Sequence, residues 1–218
     1  MDFKTPWRTT GRHIAALLPC LDLTKGELSF KRELMGARNR MLRRLFAPKP
    51  EKQTAQTLYR AIVDAARQPA LYGEAGVADT LEGRFELVVL HTALAILELR
   101  TSQDEKAKAV SQALFDVMFD DFDAAMRELG VGDSAVGKKI RFMAEGFYGR
   151  AQALQTALEA EDEGRELQQV LARNLLGLET PDARAERLAL YVNSAAAALR
   201  GQGAEPLVAG ERPAFPAA

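Results

Sequence analysis

Soft metal ligands and disulfide partners are almost missing from this sequence. Cysteine occurs once, at Cys20, and histidine twice, at His13 and His91. A lone cysteine cannot form an internal disulfide, and these three side chains cannot complete a zinc or iron–sulfur site. The composition therefore excludes a disulfide scaffold and any such metal centre assembled from this chain alone, and it leaves open metals with oxygen ligands.

Long hydrophobic runs are also missing. The longest apolar stretch, LVVLHTALAIL at 87–97, has eleven residues, whereas a helix that spans a bilayer needs about 20. No signal-type cleavage site follows the short apolar run near the N-terminus. We therefore expect neither a transmembrane helix nor a signal peptide, and a cytoplasmic protein that can lie peripherally on the inner face of the cytoplasmic membrane.

Aromatic residues make up only 7% of the chain, and no segment alternates apolar and polar residues as a half-buried strand does. Alanine, leucine, glutamate and arginine, which favour helices, are abundant. The fold class predicted is all-α, a single-domain bundle of about six helices with flexible N- and C-terminal tails. Helix-period patterns place the helices at 51–67, 80–100, 102–129, 135–160, 163–176 and 181–200.

The helix predicted over 80–100 is apolar on nearly all sides, which is typical of the buried centre of a bundle. We expect His91 to be a hydrogen-bonded core residue, and Val88, Leu90, Leu94 and Leu97 to be buried. Three pairs of residues predict helix starts. They are Asp79 with Glu82, Ser102 with Glu105, and Thr180 with Pro181.

Three regions are predicted along the chain. Residues 1–50 form a basic, partly disordered arm, 51–200 the helical domain, and 201–218 a disordered tail rich in proline, glycine and alanine. Met35 and Met41 are alternative translation starts, under which much of the arm would not belong to the protein.

Charge is divided unevenly between these regions. Residues 1–50 carry 11 Lys and Arg against 4 Asp and Glu, and the other 168 residues carry 18 against 26. A basic arm on an acidic body favours an anionic partner such as lipid head groups or RNA. We expect segment 31–49 to attract the protein peripherally to anionic membranes, and we expect no DNA binding.

Acidic residues cluster in FDDFDAAMRELGVGD, residues 119–133. With 100° per residue, Asp116, Asp120, Asp123 and Arg127 fall within an arc of about 60°, opposite the apolar side of the helix. Asp116 and Asp120 have the i,i+4 spacing by which helical isoprenoid synthases hold Mg²⁺ against a diphosphate. Because this stripe faces away from the apolar side, we interpret it as a solvated surface with no catalytic, cofactor or metal role.

Asp121 departs from that stripe because it falls within the apolar arc. A charge there needs a partner or a raised pKa, since unpaired burial is costly. We therefore take Asp121 as a candidate buried charge, paired with a neighbouring arginine or a helix N-terminus, or else in contact with a partner molecule.

The helix predicted over 135–160 carries an aromatic residue outside its core stripe. Ile140, Met143, Ala144 and Phe147 belong to that stripe. The opposite face groups an aromatic ring with two lysines and two glycines. Glycines inside a helix often mark a close approach by another element. This face is either packed by another helix or a candidate client or partner surface, formed by Lys138, Lys139, Phe142, Gly146 and Gly149.

From Leu58 to about Leu178 the chain resembles the ubiquinol–cytochrome c chaperone family. The segments that carry the resemblance are LYRAIVDAARQPALY, GVADTLEGRFELVVLHTAL, FDDFDAAMRELGVGD, VGKKIRFMAEGFYGR and LARNLLG, in this order. The resemblance implies a non-enzymatic, all-helical assembly factor for cytochrome b of the respiratory ubiquinol–cytochrome c reductase, without a catalytic motif or a cofactor.

The family's mitochondrial members act with a small partner protein near the ribosomal exit, where they hold newly made cytochrome b. Because this chain lacks a mitochondrial transit pattern, it looks like the bacterial form. The resemblance implies newly made cytochrome b or another membrane protein as client, and a small partner protein. Two alternatives stay open, a Mg-dependent isoprenoid-diphosphate enzyme that uses Asp116, Asp120 and Asp121, and a generic helical scaffold.

Overall fold

The structure is a computed structural model, and it describes residues 49–218, which form one compact unit. Within this range the protein is all-α, as predicted, and contains no strand. The α-helices are α1 Pro50–Ala66, α2 Leu81–Leu99, α3 Glu105–Glu128, α4 Asp133–Glu159, α5 Arg165–Leu171, α6 Ala183–Gln202 and α7 Ala204–Ala209. Besides these, the described chain contains a π-helix at Ala172–Leu176 and 3₁₀ helices at Pro69–Leu71 and Gly73–Ala75.

Helix α2 is the centre of the bundle, as its composition predicted. It contacts α1, α3, α4, α6 and α7, and every residue from Leu87 to Ile96 is buried. Val88, Leu90 and Leu94 are buried as expected. Leu97 is only half-buried, since it lines a cleft of about 310 Å³ between the C-terminal ends of α2, α4 and α6.

Three helices begin at residues other than the predicted ones. The Thr80 hydroxyl accepts a hydrogen bond from the Gly83 amide at 3.1 Å and starts α2. Asp104 caps α3, and Asp182 caps α6 through bonds from two backbone amides. The predicted residue Asp79 instead pairs with Arg84 at 2.7 Å. Each shift follows from which oxygen reaches the first free amides of the helix.

The helix predicted over 163–176 is divided in two. Helix α5 ends at Leu171 and the π-helix Ala172–Leu176 continues the chain. Gly177 then stops it with a φ of 66°, a left-handed conformation that glycine adopts without steric cost. The apolar spacing of this segment predicted a helix but could not distinguish α from π geometry.

The prediction of a disordered tail at 201–218 is wrong for the described chain. Helix α6 continues to Gln202, and α7 follows with Leu207 fully buried. Pro213 is also buried, and the Phe215 ring contacts the His91 ring. Although proline and alanine dominate the composition here, apolar side chains from this segment cover the end of the core, which offsets the entropy of ordering it.

The basic arm and most of segment 31–49 lie outside the described residues, which begin at Lys49. Between Lys49 and Ala218, no helix combines the length and the apolar character needed to cross a bilayer.

Candidate functional site

The first half of α4 is weakly covered by the rest of the bundle. Val136, near its start, and Phe147, near its middle, are both buried, at 0% and 3% exposure. Between them, Ile140, Met143 and Ala144 are only half-buried, although the sequence predicted a continuous core stripe. The first half of α4 therefore presents apolar side chains that no neighbouring helix covers fully.

The five residues of the predicted surface differ in accessibility. Lys138 and Gly149 are exposed, and Phe142 keeps 48% of its surface in solvent. Lys139 and Gly146 are half-buried. A Cβ atom at Gly149 would meet no side chain or other helix within 4 Å in the described chain. Within residues 49–218, therefore, no other helix packs against Gly149.

The middle of α4 is anchored to α3 by aromatic rings. Phe115 on α3 lies 5.3 Å from Phe147 and from Tyr148, measured between ring centroids. Phe119 contacts Phe147 edge to face at 6.3 Å. Such pairs contribute about 0.5–1.5 kcal/mol beyond the area that they bury. Phe142 therefore lies about one turn before the part of α4 that packs against the aromatic rings of α3.

A buried ion pair joins α4 to α2 next to this surface, and sequence reasoning missed it. The Arg150 guanidinium donates to the Glu86 carboxylate, and both side chains are largely buried. Burial raises the pKa of Glu86, while the charge of Arg150 opposes that shift. The sequence did contain a sign of this pair, because Glu86 directly precedes the apolar run of α2. A carboxylate buried there requires a cationic partner from another element.

The three aspartates considered for metal binding have separate partners. Asp116 accepts a hydrogen bond from the Gln112 amide at 2.8 Å, and Asp120 pairs with Lys52 of α1 at 3.4 Å. Desolvation by neighbouring groups raises the pKa of Asp116, although its side chain still reaches solvent. Within 49–218, no three His, Cys, Asp or Glu side chains are grouped so that they could hold a metal ion.

Asp121 is not the buried charge that the helical wheel predicted. It is exposed, and its carboxylate accepts a hydrogen bond from the Tyr59 hydroxyl at 2.8 Å. Burial, followed by the nearby carboxylate, raises the pKa of Tyr59. The prediction failed because α1 packs along α3 and brings a hydroxyl donor to the edge of the apolar arc, where Asp121 keeps its contact with water.

His91 is a core residue, as predicted. Its Nδ1 lies 2.7 Å from the Leu87 carbonyl oxygen and its Nε2 lies 2.7 Å from the Tyr191 hydroxyl. Burial lowers the pKa of His91 to about 4, against the opposing effect of the Leu87 carbonyl. The ring is therefore neutral at pH 7 and tied to α6.

Comparison with known proteins places this arrangement in a family. A family model described as ubiquinol-cytochrome C chaperone matches residues 74–215. The fold is similar to the crystal structure of the Cbp3 homolog from Brucella abortus, with a TM-score of 0.67 and 31% sequence identity. That match covers 88% of this chain and 97% of the Brucella chain. No curated protein sequence matches significantly. The chain belongs to the ubiquinol-cytochrome c chaperone family.

Proposed function

We propose that this protein is a non-enzymatic assembly factor that binds newly made cytochrome b of the ubiquinol–cytochrome c reductase. The observation that carries the proposal is Phe142, an aromatic ring 48% exposed on a helix anchored elsewhere. Family membership supports a chaperone role, and the separate partners of Asp116, Asp120 and Asp121 favour this role over Mg-dependent diphosphate chemistry.

The client surface in this proposal consists of Lys138, Lys139, Phe142, Gly146 and Gly149. An aromatic side chain is a common energetic centre of a binding surface. The missing side chain at Gly149 leaves room for an approaching backbone. Lys138 and Lys139 are cations on the same helix and suit a client segment with acidic flanks.

Half-buried side chains of α4 extend this surface. Ile140 and Met143 remain partly accessible on the adjoining side of the helix. Leu129, in the turn that leads into α4, keeps 59% of its surface exposed. An apolar client segment would therefore find contacts on more than one side of α4. Methionine is well suited to such contacts, because its flexible side chain adapts to different shapes.

Replacing Gly149 by leucine tests this surface. The leucine side chain would occupy the open space at Gly149, so we expect weaker association with cytochrome b and less assembled reductase. The melting temperature should stay the same or rise, because glycine costs a helix about 1 kcal/mol relative to alanine. The measurements are co-purification of cytochrome b with the tagged protein and thermal unfolding of the isolated protein.

Gly137→Leu is the matched control. Gly137 lies on the same helix, is exposed, and also has open space at its Cβ position, but it faces away from Phe142. The Gly137→Leu variant should therefore associate with cytochrome b as the unchanged protein does. Unfolding of the Gly149→Leu protein, or equal association of both variants with cytochrome b, would contradict the proposed surface.

Charge reversal tests the electrostatic part separately. We expect Lys138→Glu with Lys139→Glu to weaken cytochrome b association while sparing the melting temperature. Lys106→Glu with Lys108→Glu on α3 changes the net charge equally and serves as the control. If both pairs weaken association equally, overall charge rather than this surface is responsible.

A further inference from the structure

Residues 211–218 follow α7 and contact side chains of α1, α2 and α6. Gly210, with a φ of 87°, ends α7, and no helix or strand follows. The Glu211 amide donates to the Pro206 carbonyl of α7. Within the segment, the Phe215 amide donates to the Pro213 carbonyl. From residue 212 onward, two glutamine side chains make hydrogen bonds that join the segment's main chain to the rest of the described chain.

Each glutamine binds the segment with both atoms of its amide. Gln202 donates from Nε2 to the Arg212 carbonyl at 2.9 Å and accepts from the Ala214 amide at Oε1, 2.8 Å away. Gln68 makes the same two bonds four residues further along the segment. Its Nε2 donates to the Pro216 carbonyl at 3.1 Å, and its Oε1 accepts from the Ala218 amide at 2.8 Å.

This pattern recognises main chain rather than side chains. Each amide donates to one carbonyl and accepts from the N–H two residues later, which is what a neighbouring strand offers an added peptide. Any extended segment can supply the same carbonyl and N–H groups. The residue whose N–H is used cannot be proline, because proline has no amide hydrogen.

Two side chains add selectivity between the glutamines. Pro213 is buried. The Phe215 ring meets the His91 ring edge on, with centroids 4.9 Å apart. The His91 ring is held in place by Leu87 and Tyr191, so the surface that receives Phe215 is preformed. The ion pair of Arg212 with Asp64, at 3.6 Å between two exposed side chains, contributes little.

We infer that the groove formed by Gln68, His91 and Gln202 is a docking site for an extended peptide, and that residues 211–218 occupy it in cis. The partner is an extended segment with an aromatic residue two positions after a proline. Such a segment displaces residues 211–218 by making the same main-chain bonds. This inference is independent of the client surface on α4 and of the identity of the client.

A synthetic peptide with the sequence of residues 211–218 tests the groove. A chain that ends at Gly210 should bind the fluorescently labelled peptide saturably. The full chain should bind it at least about tenfold more weakly, because a tethered ligand competes at a high effective concentration. Equal binding to both chains, or none to a shortened chain that remains folded, would overturn the inference.

Peptide variants define the chemistry of the partner. Phe215→Ala in the peptide should weaken binding by about tenfold or more, since the aromatic contact with His91 is lost. Arg212→Ala should change binding by less than about threefold, since exposed ion pairs contribute little. A larger loss of binding for Arg212→Ala than for Phe215→Ala would mean that charge, rather than the groove, holds the peptide.

On the protein, Gln68→Glu tests the amide contact. The carboxylate cannot donate to the Pro216 carbonyl, so binding of the peptide to the shortened chain should weaken by about tenfold. Gln103→Glu, at an exposed position between α2 and α3, adds the same charge and should have no effect. Equal losses in both variants would show that the glutamine is not a specific contact.

A cleavable full chain covers the case in which the shortened chain does not fold. A protease site is inserted between Gly210 and Glu211 and cut after folding, so that residues 211–218 stay bound without a tether. Excess labelled peptide should then replace them, with release of the unlabelled fragment measured by mass spectrometry. Failure to exchange in the folded, cut protein would show that the segment is a permanent part of the domain.

Discussion

At the scale of single residues, the core of α2 combines large aliphatic side chains with one polar ring. Leu94 is 3% exposed and Leu87 is fully buried. His91 sits between them and satisfies both ring nitrogens. The aliphatic residues supply the apolar burial that stabilises the bundle, whereas His91 makes that stability depend on pH.

Replacing Leu94 by alanine should lower the free energy of unfolding by about 2–5 kcal/mol, because a cavity remains where the side chain was. Denaturant unfolding measures the effect. Leu190→Ala is the control, since Leu190 is 65% exposed on α6, and its effect should stay within about 0.5 kcal/mol. An unchanged midpoint for Leu94→Ala would contradict the central position of α2.

Acid should destabilise the protein through His91. Its pKa is about 4 in the folded protein and 6.5 ordinarily, so the unfolded chain binds the proton more tightly. The stabilisation is complete above pH 6.5 and is lost as pH falls toward 4. The free energy of unfolding should therefore decrease by up to about 1.4 kcal/mol per pH unit in that window.

The comparison that isolates this effect is with His91→Gln, measured by denaturant unfolding at several pH values. Glu86, Glu98 and Asp116 also have raised pKa values, but they are common to both proteins. The difference between the two proteins should grow smaller toward pH 4. A constant difference across the window would show that His91 is not neutral and buried at pH 7.

At the scale of elements, acidic residues of α3 contribute to its contact with α1 and also form a solvated surface. Asp120 pairs with Lys52, and Asp121 accepts from Tyr59. Both aspartates remain exposed. These bonds orient two helices that are already held by apolar contacts, so they contribute little to stability.

Alanine at both Asp116 and Asp120 should therefore leave the melting temperature and cytochrome b assembly close to those of the unchanged protein. The lost ion pair is worth about 1 kcal/mol or less. Thermal unfolding and the amount of assembled reductase are the measurements. Magnesium-dependent turnover of an isoprenoid diphosphate that disappears in the double variant would instead favour an enzyme.

At the scale of the whole molecule, charge is separated along the chain, with a basic N-terminal arm and an acidic body. We expect segment 31–49 to attract the protein to anionic lipid without insertion. Each Lys or Arg near the surface contributes about 1 kcal/mol, and salt screens the attraction. Co-sedimentation with phosphatidylserine vesicles should therefore weaken as salt is raised.

Vesicles of neutral lipid are the control for that attraction, and a chain beginning at Met41 should lose much of it. Binding that is insensitive to salt, or equal on neutral lipid, would contradict an electrostatic contact. Neither outcome bears on the proposed client surface on α4, because that surface lies in a different part of the chain.

The sequence by itself determined the fold class, the central position of α2 and the core role of His91. Helical periodicity and an apolar run too short for a bilayer are local properties, so they can be read without knowing the neighbours of a residue. The exposure of Phe142 could also be predicted, because the wheel of α4 shows a core stripe from which this ring is absent.

Tertiary structure decided which residues become partners. Arg150 reaches Glu86 from another helix, and Tyr59 reaches Asp121 across the contact of α1 with α3. The tail is ordered because Gln68, Gln202 and His91, far apart in sequence, meet along one groove. Such contacts depend on how the helices pack against one another, and the apolar periodicity of a single helix does not specify that packing.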